Sequence, residues 1–158
     1  MLEKVDALDD LDKKILASMM ESSRKSYADL GKELFVSSGT IHVRIKKMIQ
    51  QGIIKREYLD VDYHKLGYDV TAFLGIFLDK SSLYEEVTQK LKSIPEIVEA
   101  HYTTGNYSIF VKVICKDTKH LKEILTEHIQ ALPGVQRTET LISLQESISR
   151  PLIPTIGA

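Results

Sequence analysis

Two stretches of this chain hold residue types whose spacing could do chemistry. The first runs from Ser37 to Arg56. It contains Arg44, Lys46, Lys47, Lys55 and Arg56, and neither Asp nor Glu. It opens with Ser37-Ser38-Gly39-Thr40, small polar residues that let a backbone come close to a groove. Amides at a helix start suit phosphate. At helical spacing Ile41, Ile45 and Met48 form an apolar stripe. Opposite it lie Gly39, Val43, Lys46, Lys47 and Gln50, with His42 on the flank. Such a helix suits the major groove of duplex DNA. Ser38, Thr40, His42 and Val43 are the candidates for base edges. Arg44, Lys46, Lys47, Lys55 and Arg56 are the candidates for phosphate, and Tyr27 and Ser37 complete the expected DNA-facing set. Arg44 lies close enough to the apolar stripe to act as a brace instead. Short amphipathic helices with a solvated basic face also occur in ordinary bundles, so spacing alone leaves both readings open.

The second stretch is Thr103-Thr104-Gly105-Asn106-Tyr107-Ser108. Hydroxyls cluster around a glycine, where backbone amides could meet a carboxylate and hydroxyls a polar group. A hairpin turn also prefers Gly and Asn for purely conformational reasons.

Other chemistries lack their residues. There is no phosphate-binding glycine loop, dinucleotide fingerprint or HExxH. No serine sits in a nucleophile elbow. The histidines at 42, 64, 101, 120 and 128 show no metal-ligand spacing with Cys115, the one cysteine. The expectation is therefore no catalytic residue, no metal and no cofactor. The lone thiol excludes an internal disulfide and fits a reducing compartment. No apolar run reaches membrane-spanning length and no secretory leader is visible, which points to the cytoplasm with no membrane partner. Net charge is -1 over 158 residues, but it is segregated: acids crowd at Asp6, Asp9, Asp10 and Asp12, bases after Ser37.

The elements that must position these residues follow from periodicity. Asp9 or Asp10 can cap a helix to Glu21, with Leu8, Leu11, Ile15 and Met19 on one face. Ser26 and Asp29 have capping-box spacing before a helix whose apolar face is Tyr27, Leu30 and Leu34. Ser37 can cap the basic helix, and Gly52 can end it. Ile53 to Val61 reads as a strand, as in a wing. Alternation then predicts strands over Tyr68–Leu78, Ile97–Thr104, Tyr107–Cys115 and Val135–Gln145. Ser82 with Glu85, and Asp117, predict caps for two intervening helices. The expected fold class is α+β: an N-terminal winged helix-turn-helix over 1–61, a hinge over 62–67, a ferredoxin-like βαββαβ sandwich over 68–146, and a tail over 147–158. Helices on one sheet face leave Phe73 and Phe77 on the other, which predicts association. A small ferredoxin-like enzyme or carrier is the alternative from another class.

LDDLDKKIL (8–16), VSSGTIHVRIKKM (36–48), Gly52-Ile53-Ile54 and YTTGNYSIFVKV (102–113) resemble the Lrp/AsnC family of feast/famine transcription regulators. The four motifs occur in order and span nearly the whole chain. GTIHVR, LGYDV, YTTG followed by YSIF, and TETLI are most similar to its asparagine-responsive members. The resemblance implies double-stranded DNA and a small amino acid, asparagine above others, as partners. It implies a homodimer that assembles into a larger ring, possibly an octamer. It implies an effector site between dimers at Thr103, Thr104, Gly105, Asn106, Tyr107 and Ser108 together with Thr138, Thr140 and Ile142. Many members place an aspartate where this chain has Ser108, a departure that fits the asparagine-responsive kind. The same family also allows a regulator or DNA-organising protein with a different effector or none.

Overall fold

Oxygen-bearing side chains start the first three helices. In the computed structural model, which describes residues 8–153, α1 spans Asp10–Glu21, α2 Tyr27–Glu33 and α3 Ser38–Gln50. Asp9 accepts from the Asp12 amide while Asp12 accepts from the Asp9 amide, a complete capping box. Ser26 accepts from the Asp29 amide and Ser37 from the Thr40 amide. A serine cap of this kind contributes about 1 kcal/mol.

The chain divides into two compact units. One takes the chain up to Asp60 together with the stretch from Ile148 onward, and the other is Val61–Ser147. The core of the first is Ile15, Leu16, Leu30, Ile41, Ile45 and Met48. Burial of each such side chain stabilises by about 1.5–3 kcal/mol. α2 and α3 cross closely at Gly31, where an added Cβ would stand 2.7 Å from the Val36 carbonyl oxygen. Ser18, 5% exposed, donates to Glu33, and Lys25 donates to both, which ties α1 to the end of α2.

Two expectations fail in this unit. Tyr27 is not core: it is 39% exposed, with its ring 5.7 Å from that of His42. Ile53 to Val61 forms no strand. The amides of Ile53 and Ile54 bond back to the Met48 carbonyl at 2.9 and 3.2 Å and close the end of α3. Both side chains pack on the helical core. With those amides used, and no other strand among the described residues of this unit, the segment has no ladder partner.

The second unit begins with a single 3₁₀ turn, His64–Leu66, capped by Gly67 in the left-handed conformation. Then come β1 (Val70–Leu78), α4 (Tyr84–Leu91), β2 (Ile97–Tyr102), β3 (Ile109–Cys115), α5 (Thr118–Glu123) and β4 (Val135–Ile142). The sheet order is β2-β3-β1-β4 and every pair is antiparallel. This is the ferredoxin-like order. Ala72, Leu74, Ile76, Ile109, Val111 and Val113 pack against Val87 and Leu91 of α4 and Leu121 of α5. α5 runs on as a π-helical turn over Ile124–Ile129, so that two isoleucines five apart both reach the core.

The Ser82–Glu85 cap does not form. Ser81–Leu83 make a 3₁₀ turn closed by the Leu83 amide on the Lys80 carbonyl, and α4 begins without a side-chain cap. The strands are shorter than alternation predicts: β1 begins at Val70, β2 ends at Tyr102, β3 begins at Ile109 and β4 ends at Ile142.

Candidate nucleic-acid interface

α3 is one-sided. Ile41, Ile45 and Met48 are buried, while His42, Val43, Lys46, Lys47 and Gln50 are exposed. Val43 is 65% exposed in the middle of this polar face. At the helix start Ser38 and Gly39 are exposed and Thr40 is half-buried. Ser37 Oγ lies 2.9 Å from Thr40 Oγ1 as well as accepting from its amide. Both hydroxyls therefore hold the helix start, and Ser38 is the serine left outward. The Tyr27–His42 ring contact brings the beginning of α2 to the flank of the same face. Lys55 and Arg56 are exposed on the irregular segment after Ile54.

Arg44 takes the brace position that its place beside the apolar stripe allows. Its guanidinium donates to Asp9 and, at 2.9 Å, to Asp12, at the start of α1. The Arg44 bond is the main reason the Asp9 carboxyl titrates below the usual carboxylate range, and the two carboxylates raise Arg44. Arg44 is the brace between α1 and α3. Lys25 and then Ser18 lower the Glu33 carboxyl in the same way. The acids Asp9, Asp12 and Glu33 are thus paired within the unit, and none of them lies on the exposed face of α3.

One residue escaped sequence reasoning. Phe35 follows the C-cap of α2, Leu34, and leads into α3. Its φ is +57° and it is 95% exposed. Left-handed backbone costs a side-chain-bearing residue about 1–2 kcal/mol. Glycine usually stands at this position after a helix. The signal was its absence: no Gly or Asn separates Leu34 from Ser37.

The loop Thr103–Ser108 is six residues long in sequence and is not the tight turn that Gly105-Asn106 predicts. Thr103 Oγ1 donates to the Tyr107 carbonyl at 2.8 Å, and the Ser108 amide donates to Ile76 of β1 at 2.9 Å. Thr104, Gly105 and Asn106 are exposed between these anchors. Tyr107 leaves the loop and crosses the sheet face away from the helices. Its ring covers Gly75 so closely that a Cβ there would come within 2.3 Å. Its hydroxyl donates to Glu139 at 2.8 Å, which in turn pairs with Arg137 at 2.6 Å. The Arg137 guanidinium lies 3.4 Å over the Phe77 ring. Arg137, then Tyr107, hold the Glu139 carboxyl low, and Glu139 pushes the Tyr107 phenol up. Phe110 stacks on both Phe73 and Tyr107, at 5.9 and 5.8 Å.

The three β4 candidates lie on the other face. Thr138, Thr140 and Ile142 pair with Ile76, Leu74 and Ala72, the core-facing residues of β1. Within one chain Tyr107 bonds Glu139 of β4, which in turn holds Arg137, while Thr138, Thr140 and Ile142 point away from its ring. Only Thr138 shares the loop's end of the sheet, since it and Ser108 flank Ile76 from opposite sides. Ile142 is four residues farther along, about 14 Å at strand rise. Arg137 and Glu139 were missed because the strand period sets neighbours on opposite faces.

The Cys115 thiol is pushed up to about 11, first by burial and then by Glu96 and Asp117. Among the described residues no group of three or more His, Cys, Asp or Glu is placed to hold a metal ion.

Residues 8–55 match the family described as winged helix-turn-helix DNA-binding, and residues 71–153 match the Lrp/AsnC ligand binding domain. The chain is 49% identical over 147 residues to the regulatory protein AsnC of Haemophilus influenzae, covering 93% of this chain and 98% of that protein. It is 47% identical to the protein of the same name from Escherichia coli K12, over 93% and 97% of the two chains. The solved structure of E. coli AsnC superposes with a TM-score of 0.88 at 46% identity, covering 94% of this chain and 99% of that one.

Proposed function

The chain belongs to the Lrp/AsnC family of transcription regulators, and from that premise we propose that it grips operator DNA with α3 and answers to a small amino acid, asparagine. One observation carries the DNA reading. The exposed face of α3 is polar and basic, while the acids Asp9, Asp12 and Glu33 are engaged with Arg44, Lys25 and Ser18. Ser38, His42 and Val43 meet base edges, with Thr40 behind them, and the Val43 methyls suit a thymine methyl. Lys46, Lys47, Lys55 and Arg56 meet phosphate. The protein acts by binding, in the cytoplasm; among the described residues no helix is long and apolar enough to cross a membrane.

The effector reading rests on the loop. Thr104, Gly105 and Asn106 offer exposed amides and hydroxyls between two anchors, and Ser108 can both donate to and accept from a side-chain amide. Thr140 and Ile142 join this site from a neighbouring copy. Copies associate through the sheet face that carries Phe73, Phe77, Tyr107 and Phe110.

The test has two arms. Lys46→Ala with Lys47→Ala weakens binding to all duplexes alike and flattens the log–log salt dependence by about 0.9 for each phosphate no longer neutralised. Calorimetry on the wild type shows asparagine binding more tightly than aspartate or leucine. Unchanged affinity and slope in the lysine variant means that Lys46 and Lys47 do not face DNA; equal affinity for the three amino acids removes the asparagine reading and leaves the DNA reading standing.

A further inference from the structure

Phe35 breaks two local rules at once. It occupies the left-handed backbone region at φ +57°, where glycine is at ease and a bulky side chain is not. Its ring is also 95% exposed, so the apolar group contributes almost nothing to the fold. Residues that break local rules without a folding return are where function is expected. The turn that holds it is firm. The Val36 amide donates to the Gly31 carbonyl at 2.9 Å, and α2 and α3 cross at Gly31 with no room for a Cβ. The ring is therefore presented in a fixed place, one residue after the C-cap of α2 and two before the N-cap of α3.

The surroundings identify what it meets. Phe35 lines a shallow depression with Ala28, Gly31, Lys32, Val36, Ser37 and Ser38. That rim offers the exposed Lys32 cation, with Asp29 at 4.0 Å on one side of it, the free-standing Ser38 hydroxyl and the first turn of a helix, a set that suits phosphate. A single exposed ring in a rim of mixed character is far smaller than the apolar patch a protein partner would bury. The depression runs straight on to Ser38 and the face of α3. We propose that Phe35 is a DNA-contacting residue: its ring packs on the deoxyribose carbons of the backbone beside the start of α3, with Lys32 and Ser38 toward the flanking phosphate. This rests on the reading that α3 meets DNA, and it adds an apolar, charge-free contact that the basic residues do not supply.

The probe is a duplex that the wild-type full chain selects from a random-sequence pool, measured by fluorescence anisotropy over a salt series. Phe35→Gly and Phe35→Asn both accept a left-handed backbone and remove the ring; Phe35→Leu keeps an apolar side chain. The expected result is that the Gly and Asn variants melt at or above the wild-type temperature yet bind about tenfold more weakly. Their salt slope stays at the wild-type value, because every phosphate keeps its cation. Phe35→Leu keeps most of the affinity. Wild-type affinity in the Gly and Asn variants overturns the proposal, and so does a lower melting temperature, which would make the ring a structural element. A flattened salt slope overturns it as well, since the variant would then neutralise fewer phosphates. The Lys46→Ala, Lys47→Ala protein is run beside them. If it weakens while Phe35→Gly does not, only Phe35 is wrong; if the wild type selects no duplex, the reading of α3 falls with it.

Discussion

The exposed face of α3 and the outer face of the sheet are opposite kinds of surface. α3 turns out Ser38, His42, Val43, Lys46 and Lys47, a mostly polar face that is at ease in water. The sheet turns out Phe73, Phe77, Tyr107 and Phe110, half-buried rings stacked on one another. A polar face binds by exchange: phosphate replaces water and releases counterions. An apolar face binds by removing water, and it needs a surface of its own kind to do so. The first face is therefore at ease in a single chain. The second is the one on which association of copies is proposed, because its rings gain from being covered. Even its charges fit that role, since Arg137 and Glu139 neutralise each other above the rings and can be covered as a pair.

The sharpest break between the two regions is Ile45→Ala. Ile45 is fully buried under α3, and the cavity destabilises its unit by about 2–5 kcal/mol. DNA binding is abolished while the C-terminal unit keeps its oligomeric state and effector affinity, as checked by thermal melting, sedimentation and calorimetry. Loss of all three properties together would show that the units do not act separately.

Phe110→Asp attacks the other region. Phe77 is a poorer place for the charge, because Arg137 lies on its ring and would pair with the new carboxylate. Phe110 touches Phe73 and Tyr107 instead. The missing ring burial alone weakens association by about 10–100-fold per copy. Sedimentation shows smaller species, and an unchanged distribution would move the interface off this face.

Arg44→Ala sharpens the division inside α3 between residues that hold and residues that bind. It removes the brace to Asp9 and Asp12, so the N-terminal unit melts a few degrees lower. The salt slope of DNA binding stays where it was. A slope flattened by about 0.9 would return Arg44 to the phosphate set.

Acid pH gives the smallest contrast. Asp9, Asp29 and Glu33 in the N-terminal unit are all lowered, first by Arg44, Ser26 and Lys25 respectively; Glu139 in the C-terminal unit is lowered first by Arg137. A carboxyl lowered in the folded state contributes stability that is fully present above its unfolded value, about 4, and lost as pH falls through the folded value. With three such groups against one among the described residues, the N-terminal unit loses more of its stability on acidification below about pH 4. Residue-resolved amide signals check the difference, and Glu33→Gln shallows the acid limb of that unit alone.

Most of the fold was legible because its signals are local. Asp9, Ser26, Ser37 and Asp117 cap the helices their spacing predicts, and Ile41, Ile45 and Met48 are the buried stripe of α3. The alternation of Val70 to Leu78 placed Ala72, Leu74 and Ile76 inward and Phe73 and Phe77 outward. The irregular course of Ile53 to Val61 was not legible, because a strand exists only with a partner and local composition does not supply one.

The sequence by itself determined which residues share a face, where helices start, and that the second short helix is basic without acids, since each follows from a period of two or 3.6 and from side-chain chemistry. Only the tertiary structure decided that Arg44 faces Asp9 and Asp12, that Tyr107 spans Gly75 to reach Glu139, and that Thr138, Thr140 and Ile142 lie on the face opposite that ring. These are contacts between residues some thirty positions apart, fixed by strand register and helix crossing. No local pattern carries that information. Phe35 lies between the two cases: the missing glycine is visible in the chain, but its left-handed backbone and bare ring come from the close crossing of α2 and α3 at Gly31.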